Sequence, residues 1–330
     1  MIRLCKQISF ALILLIGLQI ETSAQGFDST QIGKEYPYAL PILGKKAYTR
    51  GYKLPLPHGI MINTIWNRQN IVIEDLELAF LPDGTPLDQE DYYDFSDIIT
   101  FGPSRGRINT LSFRASTWLL PFFALSVNYG EVWGEQVITL TKPISIESVT
   151  EIDGRYYGID MLVVAPLGPI NLALNWAPSW TTNVRLNEPV RVDVVSARVI
   201  KVFPVGKKPD RLLGVWVGAQ FQRLAATTEG SIPLEEALDP NGENQQKVDD
   251  WYDGLTNAEK RLYGDRVYEA FNNFFDSTVY YRFNKRLEEN YNFLIGGQYQ
   301  FNRTWQLRGE YGVLGTKQQL LLSLNYSFGL

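Results

Sequence analysis

The chain has 330 residues, of which 45% are hydrophobic and 13% aromatic, and its formal charge is -5. This length suits one large core or one closed barrel, and the aromatic content is high for a soluble enzyme. An acidic balance excludes the broad positive field that nucleic acid requires, so no nucleic-acid partner is expected. Cys5 is the only cysteine and His58 the only histidine. Disulfides, cysteine metal sites and mechanisms with two imidazoles are therefore excluded, and we expect no cofactor.

The first 24 residues have the order of a secretory signal peptide. Arg3 and Lys6 precede an apolar run over 8–20, and small residues follow over 22–24. This order predicts cleavage after Ala24. An uncleaved anchor helix is the alternative, although the run is short for a bilayer span. No later apolar run is long enough to cross a membrane as a helix, so the exported chain is expected to be periplasmic, extracellular or a transmembrane β-barrel.

Alternating residues near the C-terminus favour the barrel. In 319–328 one face is apolar and the other is polar, and only Leu321 breaks the pattern. The preceding segments 304–311 and 291–301 alternate in the same way, and Arg308 and Glu310 fall on the polar face. A buried sandwich would rarely place these charges inside, whereas the polar interior of a membrane barrel would.

The same period-two pattern recurs along the chain and predicts eleven strands, each about the ten residues that a tilted membrane strand needs. The remaining eight segments lie near 58–67, 71–80, 105–119, 123–130, 155–165, 170–176, 190–203 and 213–222.

Link lengths set the expected orientation. Short links at 67–70, 120–121, 166–168, 203–210 and 302–303 alternate with long ones at 81–104, 134–154, 178–189 and 227–289. Short turns face the periplasm in such barrels. On this count the strand at 58–67 runs inward, so an even-numbered barrel needs one more strand from the proline-rich stretch 36–57. The alternative is that this stretch plugs the lumen, because prolines suit a barrel strand poorly.

The prediction is an all-β fold, a transmembrane antiparallel up-and-down β-barrel of about 12 strands with a range of 10–14. Its parts are the signal peptide 1–24, an N-terminal segment 25–57 that is a plug or first strand, and the barrel 58–330 with a helical insertion at 227–289.

The sequence resembles the outer-membrane β-barrel proteins of Gram-negative bacteria in its signal peptide, its alternation and its final hairpin, WQLRGEYGVLGTKQQLLLSLNYSFGL. Its long loops and many aromatic residues are similar to those of Bacteroidota proteins of this class. The resemblance implies an outer-membrane location among lipid and lipopolysaccharide, and insertion by the barrel-assembly machinery through the last strand. In that class the last strand commonly ends on an aromatic residue. Here Phe328 is followed by Gly329 and Leu330.

A helix of about 18 residues is predicted inside the insertion. Thr256 and Glu259 form a capping box, and apolar residues follow at helical spacing. The stripe is expected to fold over the barrel mouth as a lid, with docking to a partner protein or contact with the membrane surface as alternatives. Its candidate residues are Leu262, Tyr263, Val267, Phe271 and Phe274.

Polar residues on the inward face are the candidates for contact with a transported solute. They either cross-link into a closed interior or line a path and set selectivity. The predicted lumen-lining residues are Arg114, Asp160, Asn171, Asn175, Gln298, Gln306, Arg308 and Glu310.

Two other features are weaker candidates for a catalytic or metal site. His58 starts a strand and would have to serve any hydrolase of this chain, although a histidine at the membrane interface explains it as well. The acidic loop 83–97 offers Asp88, Asp91 and Asp94 as weak calcium candidates, since calcium prefers oxygen ligands. No other metal site is expected.

These observations favour a non-enzymatic outer-membrane protein, either a porin-like pore or channel for small solutes or a scaffold in an outer-membrane complex. One alternative is a hydrolase that modifies lipid or lipopolysaccharide with His58. Another is a transporter of hydrophobic substrates whose lumen is plugged by the N-terminal segment.

Overall fold

A computed structural model describes residues 29–81, 87–97, 99–142, 146–183, 189–224, 227–233, 244–265, 267–269 and 278–330. The predicted signal peptide lies outside these residues. Fourteen strands are described: β1 His58–Leu81, β2 Tyr93–Asp94, β3 Thr100–Phe101, β4 Ser104–Leu120, β5 Phe123–Lys142, β6 Ile146–Leu167, β7 Ile170–Asn183, β8 Val190–Pro204, β9 Leu212–Leu224, β10 Thr227–Pro233, β11 Thr278–Leu287, β12 Tyr291–Gln300, β13 Trp305–Leu314 and β14 Lys317–Phe328.

Ten of these strands close into an antiparallel barrel. Each barrel strand pairs with the next one along the chain, in the order β1, β4, β5, β6, β7, β8, β9, β12, β13 and β14. The last strand then pairs with the first from His58–Phe328 to Arg68–Gln318. Closure leaves no sheet edge in the barrel, which is the condition for β-structure to cross a bilayer.

Burial alternates along the strands and separates an outer face from an inner one. On β14, Leu320, Leu322 and Leu324 are exposed, whereas Ser323 and Asn325 are buried, as the sequence pattern predicts. Each of the ten barrel strands carries exposed large hydrophobic side chains on its outer face. This apolar belt is the surface that lipid covers. Among the helices of the described residues, none is long and apolar enough to span a membrane.

The first strand differs from the prediction. The segments 58–67 and 71–80 form one continuous strand of 24 residues, and the expected turn at 67–70 is absent. Asn67 and Gln69 keep their alternate places and pair with β4. The polar run therefore marks the passage of a strand out of the bilayer, where both faces can be polar. As a result, β1 runs outward, and the barrel has ten strands, within the predicted range but not the twelve expected.

The expected first strand within 36–57 is not present. Because β1 already runs outward, the even strand number needs no contribution from this stretch. It instead contains the short helix α1, Gly44–Tyr48. We call residues 29–57 the N-terminal segment.

Several strands continue beyond the bilayer at the long-loop end. β5 and β6 are 20 and 22 residues long, so most of the loop predicted over 134–154 is strand. Above the β13–β14 turn, the upper part of β1 pairs with β11, and β11 pairs with β10. These strands form an external wall on one side of the mouth.

The insertion is partly as predicted. The capping box of Thr256 and Glu259 is confirmed, and it starts the short helix α3, Asn257–Glu259. A π-turn then follows at Lys260–Gly264, which offsets the expected α-helical register and leaves Leu262 75% exposed. A second helix, α2 Asn244–Gly254, was not predicted. Phe271 and Phe274 lie outside the described residues.

Replacing Asn67 by proline tests the continuous strand. Proline cannot donate to the ladder and is poorly tolerated in a central strand, and position 67 is paired with both β4 and β14. We expect Asn67→Pro to lower the thermal midpoint of the folded band on cold-loaded gels strongly, and Asn67→Ala to change it little. Equal midpoints for the two variants would favour a turn at 67–70.

Candidate functional site

All eight predicted lumen-lining residues lie on inner-face positions of the barrel. Arg114 is on β4, Asp160 on β6, and Arg308 and Glu310 on β13, next to Gln306. The remaining three are Asn171 and Asn175 on β7 and Gln298 on β12. Their positions follow from the same alternation that places the apolar residues outside.

Glu310 is the centre of a buried polar network. Arg198 of β8 donates two hydrogen bonds to it, with Nε–Oε2 and Nη2–Oε1 distances of 2.6 and 2.8 Å. The indole Nε1 of Trp216 donates a third at 2.6 Å, and Arg308 a fourth at 3.1 Å. The Glu310 side chain is 3% exposed. Charge-assisted bonds from two arginines are what allow a carboxylate to stay ionised at such burial.

Missing side chains make room for this network. Trp216 lies between Gly296 on β12 and the interior, and a Cβ at Gly296 would lie 2.6 Å from the indole ring. No real Cβ tolerates that distance against a ring that is itself hydrogen-bonded to Glu310. Glycine at 296 is therefore a packing requirement of the indole, which in turn holds the carboxylate.

A second ion pair lies on the facing wall. Arg114 on β4 pairs with Asp160 on β6, across β5. Arg114 is also close enough to Arg308 to act on it electrostatically. The two clusters therefore share one region of the lumen, where three guanidinium groups meet two carboxylates.

Most of the interior is filled. Inner-face polar residues below a tenth exposed occur on every barrel strand. They are Asn63, Gln69, Ser104, Ser112, Ser126, Asp160, Asn171, Ser196, Gln220, Gln222, Asn292, Glu310, Lys317, Ser323, Asn325 and Ser327. In a barrel with a wide water-filled pore these side chains would be accessible. The described lumen is consequently narrow or closed.

The N-terminal segment lies at the short-turn end. The Ile42 amide donates to the Leu119 carbonyl at the end of β4, at 2.8 Å. The ring of Tyr38 packs so closely on Gly329 that a Cβ there would lie 2.0 Å from it. The segment thus reaches the chain terminus just beyond the last strand.

A tyrosine cluster gives the segment its own packing. The ring centroid of Tyr36 lies 5.5 Å from that of Tyr38 and 5.3 Å from that of Tyr48. The Tyr36 hydroxyl donates a hydrogen bond to the Leu40 carbonyl at 3.0 Å. Burial raises the pKa of Tyr36 to about 12, with Tyr38 adding to the effect. Buried Leu54 and Leu56 then lead into β1.

At the long-loop end, the insertion packs inward. Val248 of α2 is 1% exposed and contacts Leu140, Trp251 and Tyr268. Leu140 shares the strand parity of Ser126 on β5, which faces the interior. The first described helix of the insertion, α2, therefore packs against the inner face of the outer part of β5. Tyr263 of the predicted stripe approaches Trp251, with ring centroids 6.4 Å apart.

His58 lies at the short-turn rim. Its Nδ1 is hydrogen-bonded to the Thr117 hydroxyl, and its ring centroid lies 5.5 Å from that of Phe328. It shares parity with exposed Ile60 and Ile62, so it faces outward. The contacts described for His58 are those of an interfacial strand-end residue and include no carboxylate.

The calcium candidates bond to nearby groups. Asp88 and Asp91 form a capping box, and Asp94 accepts from the Ser96 amide at 2.8 Å. Within the part of the chain that the structure describes, no three His, Cys, Asp or Glu side chains are grouped to hold a metal ion.

Sequence reasoning missed Arg198, Trp216 and Lys317. The segment carrying Arg198 has a mixed pattern that hides its inward position. Trp216, however, stands on the polar face between Gly214 and Gly218, and an aromatic residue flanked by small ones there was a usable signal. Lys317 is fully buried and donates to Gln222 at 2.8 Å.

Comparison with known proteins gives distant likenesses. An outer membrane channel from Pseudomonas putida F1 is 9% identical, covering 83% of this chain and 96% of that one, with a TM-score of 0.31. The β domain of the Bordetella autotransporter BrkA is 6% identical, covering 82% and 100%, with a TM-score of 0.38. The translocator domain of NalP from Neisseria meningitidis is 10% identical, covering 82% and 88%, with a TM-score of 0.32.

No protein-family model matches, and no curated protein matches. A closed antiparallel barrel with an apolar outer belt and a polar interior is the architecture of outer-membrane proteins. The chain is an outer-membrane β-barrel.

Neutralising Glu310 tests the central network. Glu310→Gln keeps the shape but leaves Arg198 and Arg308 without their counter-charge, and breaking a buried pair costs about 3–5 kcal/mol. We expect that loss in urea unfolding from detergent micelles, followed by tryptophan fluorescence.

The matched control is Glu135→Gln. Glu135 pairs with Arg107 at 2.9 Å, and both side chains are largely exposed. Exposed pairs contribute about 0–1 kcal/mol. Equal losses for the two variants would contradict a special role of the lumen network.

Proposed function

We propose that this protein is a non-enzymatic outer-membrane channel for small solutes that is closed at rest, with the N-terminal segment as its plug. The observation that carries the proposal is the position of this segment. It is not part of the barrel wall, yet it lies at the short-turn end, bonded to Leu119 of β4 and packed on Gly329. Short turns face the periplasm, so the plug would close the periplasmic mouth.

Two further observations support closure. The inner-face residues near the short-turn end, among them Asn171 and Ser327, are below a tenth exposed although an empty mouth would leave them accessible. At the other end, α2 packs inward on Leu140. The insertion then acts as an external lid over the same lumen.

A removable plug favours a channel over a scaffold. A scaffold needs only a rigid barrel, which the cross-linked interior would supply without a separate segment at one mouth. The finer resemblance to Bacteroidota proteins and the lack of enzymatic activity stay predictions from the sequence. The hydrolase hypothesis has no support in the outward position of His58.

Single-channel recording in planar bilayers tests the proposal. We expect the refolded protein to be silent and a variant lacking residues 29–52 to give resolvable conductance steps, because the periplasmic mouth is uncovered. The double variant Tyr36→Ala/Tyr38→Ala should loosen the plug and give intermittent openings.

Circular dichroism and gel mobility of the unheated protein establish that each variant is folded. A matched control is Tyr93→Ala, since Tyr93 is exposed near the external wall, far along the chain from the plug. Silence of both plug variants with an intact barrel would overturn the channel and favour a scaffold. Steady conductance of the unmodified protein would overturn closure at rest.

A further inference from the structure

We propose that the lumen binds a small oxyanion, a carboxylate or a phosphate group, at the guanidinium of Arg308. The inference rests on the proposed function only in naming what the channel would select, because binding itself requires no open pore. It starts from the charges that meet in the lumen. Arg114 pairs with Asp160 and Arg198 pairs with Glu310, so the additional Arg308 beside Glu310 leaves one positive charge in excess.

The carboxylates are already engaged. Glu310 accepts two hydrogen bonds from Arg198 and one from Trp216, and these are the shortest in its network. Asp160 pairs with Arg114 through one oxygen. Glu310 therefore has little capacity left for Arg308, and the described ion pair of Asp160 is with Arg114.

Arg308 is the guanidinium with donors to spare. Its bond to Glu310, from Nη2 at 3.1 Å, is the longest of the four that the carboxylate accepts. Its Nε is buried without a hydrogen-bond partner. A guanidinium carries five N–H donors, and an unbonded buried donor is costly. The group is thus incompletely satisfied by the protein.

The site also borders open space inside the barrel. The Arg308 side chain is 26% exposed, whereas the Glu310 side chain it contacts is 3% exposed. Because Arg308 points into the barrel, that exposed surface faces a space inside the lumen. Arg114, at 19%, is exposed to a similar degree.

Geometry favours an oxyanion over other ligands. One face of Arg308 is fixed by Trp216, whose ring centroid lies 4.9 Å from Cζ. A planar, held guanidinium presents paired donors that match the oxygens of a carboxylate or phosphate. Two neighbouring arginines and the low-dielectric wall strengthen the attraction.

Titration calorimetry of the refolded protein in nonionic detergent tests the site. Sodium succinate and inorganic phosphate are titrated separately, with total ionic strength held constant by sodium chloride. We expect saturable heat for at least one of them, and the two arms distinguish carboxylate from phosphate chemistry. Arg308→Gln should weaken binding by about tenfold to a hundredfold, as expected for loss of charge-assisted hydrogen bonds.

Two further variants make the result specific. Arg308→Lys keeps the charge but loses the paired donors, so it should bind more weakly than the unmodified protein and more tightly than Arg308→Gln. Arg107→Gln removes an exposed arginine on the outer face and should leave binding unchanged. All variants are first shown to be folded by circular dichroism.

The proposal is wrong if neither anion gives saturable heat, or if folded Arg308→Gln binds as tightly as the unmodified protein. Failure of the channel proposal gives a different result from failure of the anion site. A protein that binds the anion but stays silent in bilayers after loss of residues 29–52 would retain the site and lose the proposed transport role.

Discussion

Closure of the sheet between β1 and β14 is the constraint on which the rest of the molecule depends. A bilayer offers no hydrogen-bond partners, so every backbone N–H and C=O in the membrane must pair within the barrel. The outer face must then be apolar on all ten strands, which assigns every second residue. The inner residues are left free to be polar, and in this chain they become a network rather than a water column.

Ten strands set how that network is built. Eight strands give an interior that side chains just fill, so ten leave a little more width. The chain uses this width for long side chains: Arg198, packed next to Gly218, reaches Glu310, and Arg308 lies over the indole of Trp216. A buried charge pair is costly to desolvate and weak evidence for stability by itself. The network and the incompletely bonded Arg308 are therefore the features on which the proposed anion site rests.

The sequence pattern predicts the strands of the barrel wall but not the contacts made at its two ends. Alternation predicted the faces of β12, β13 and β14 and placed all eight lumen candidates inward, because each depends only on local period two. The turn at 67–70 was wrong since polar residues mark both turns and the exit of a strand from lipid, and composition cannot separate these. Contacts between distant parts, such as Tyr38 on Gly329 or Val248 on Leu140, have no local signature. The residue after Phe328 looked like a small departure from the class, and its packing against Tyr38 gives a physical reason for glycine there.

The length of β1 has a consequence for how the barrel finds its register. The lower half of β1 pairs with β14 in the membrane, and its upper half pairs with β11 outside. A slip of one residue at the seam would turn every side chain of one strand to the wrong face. Such a slip would also have to break the pairing of Ile71 with Leu287, two buried residues beyond the bilayer. The external sheet therefore adds a second constraint on the register of the membrane seam.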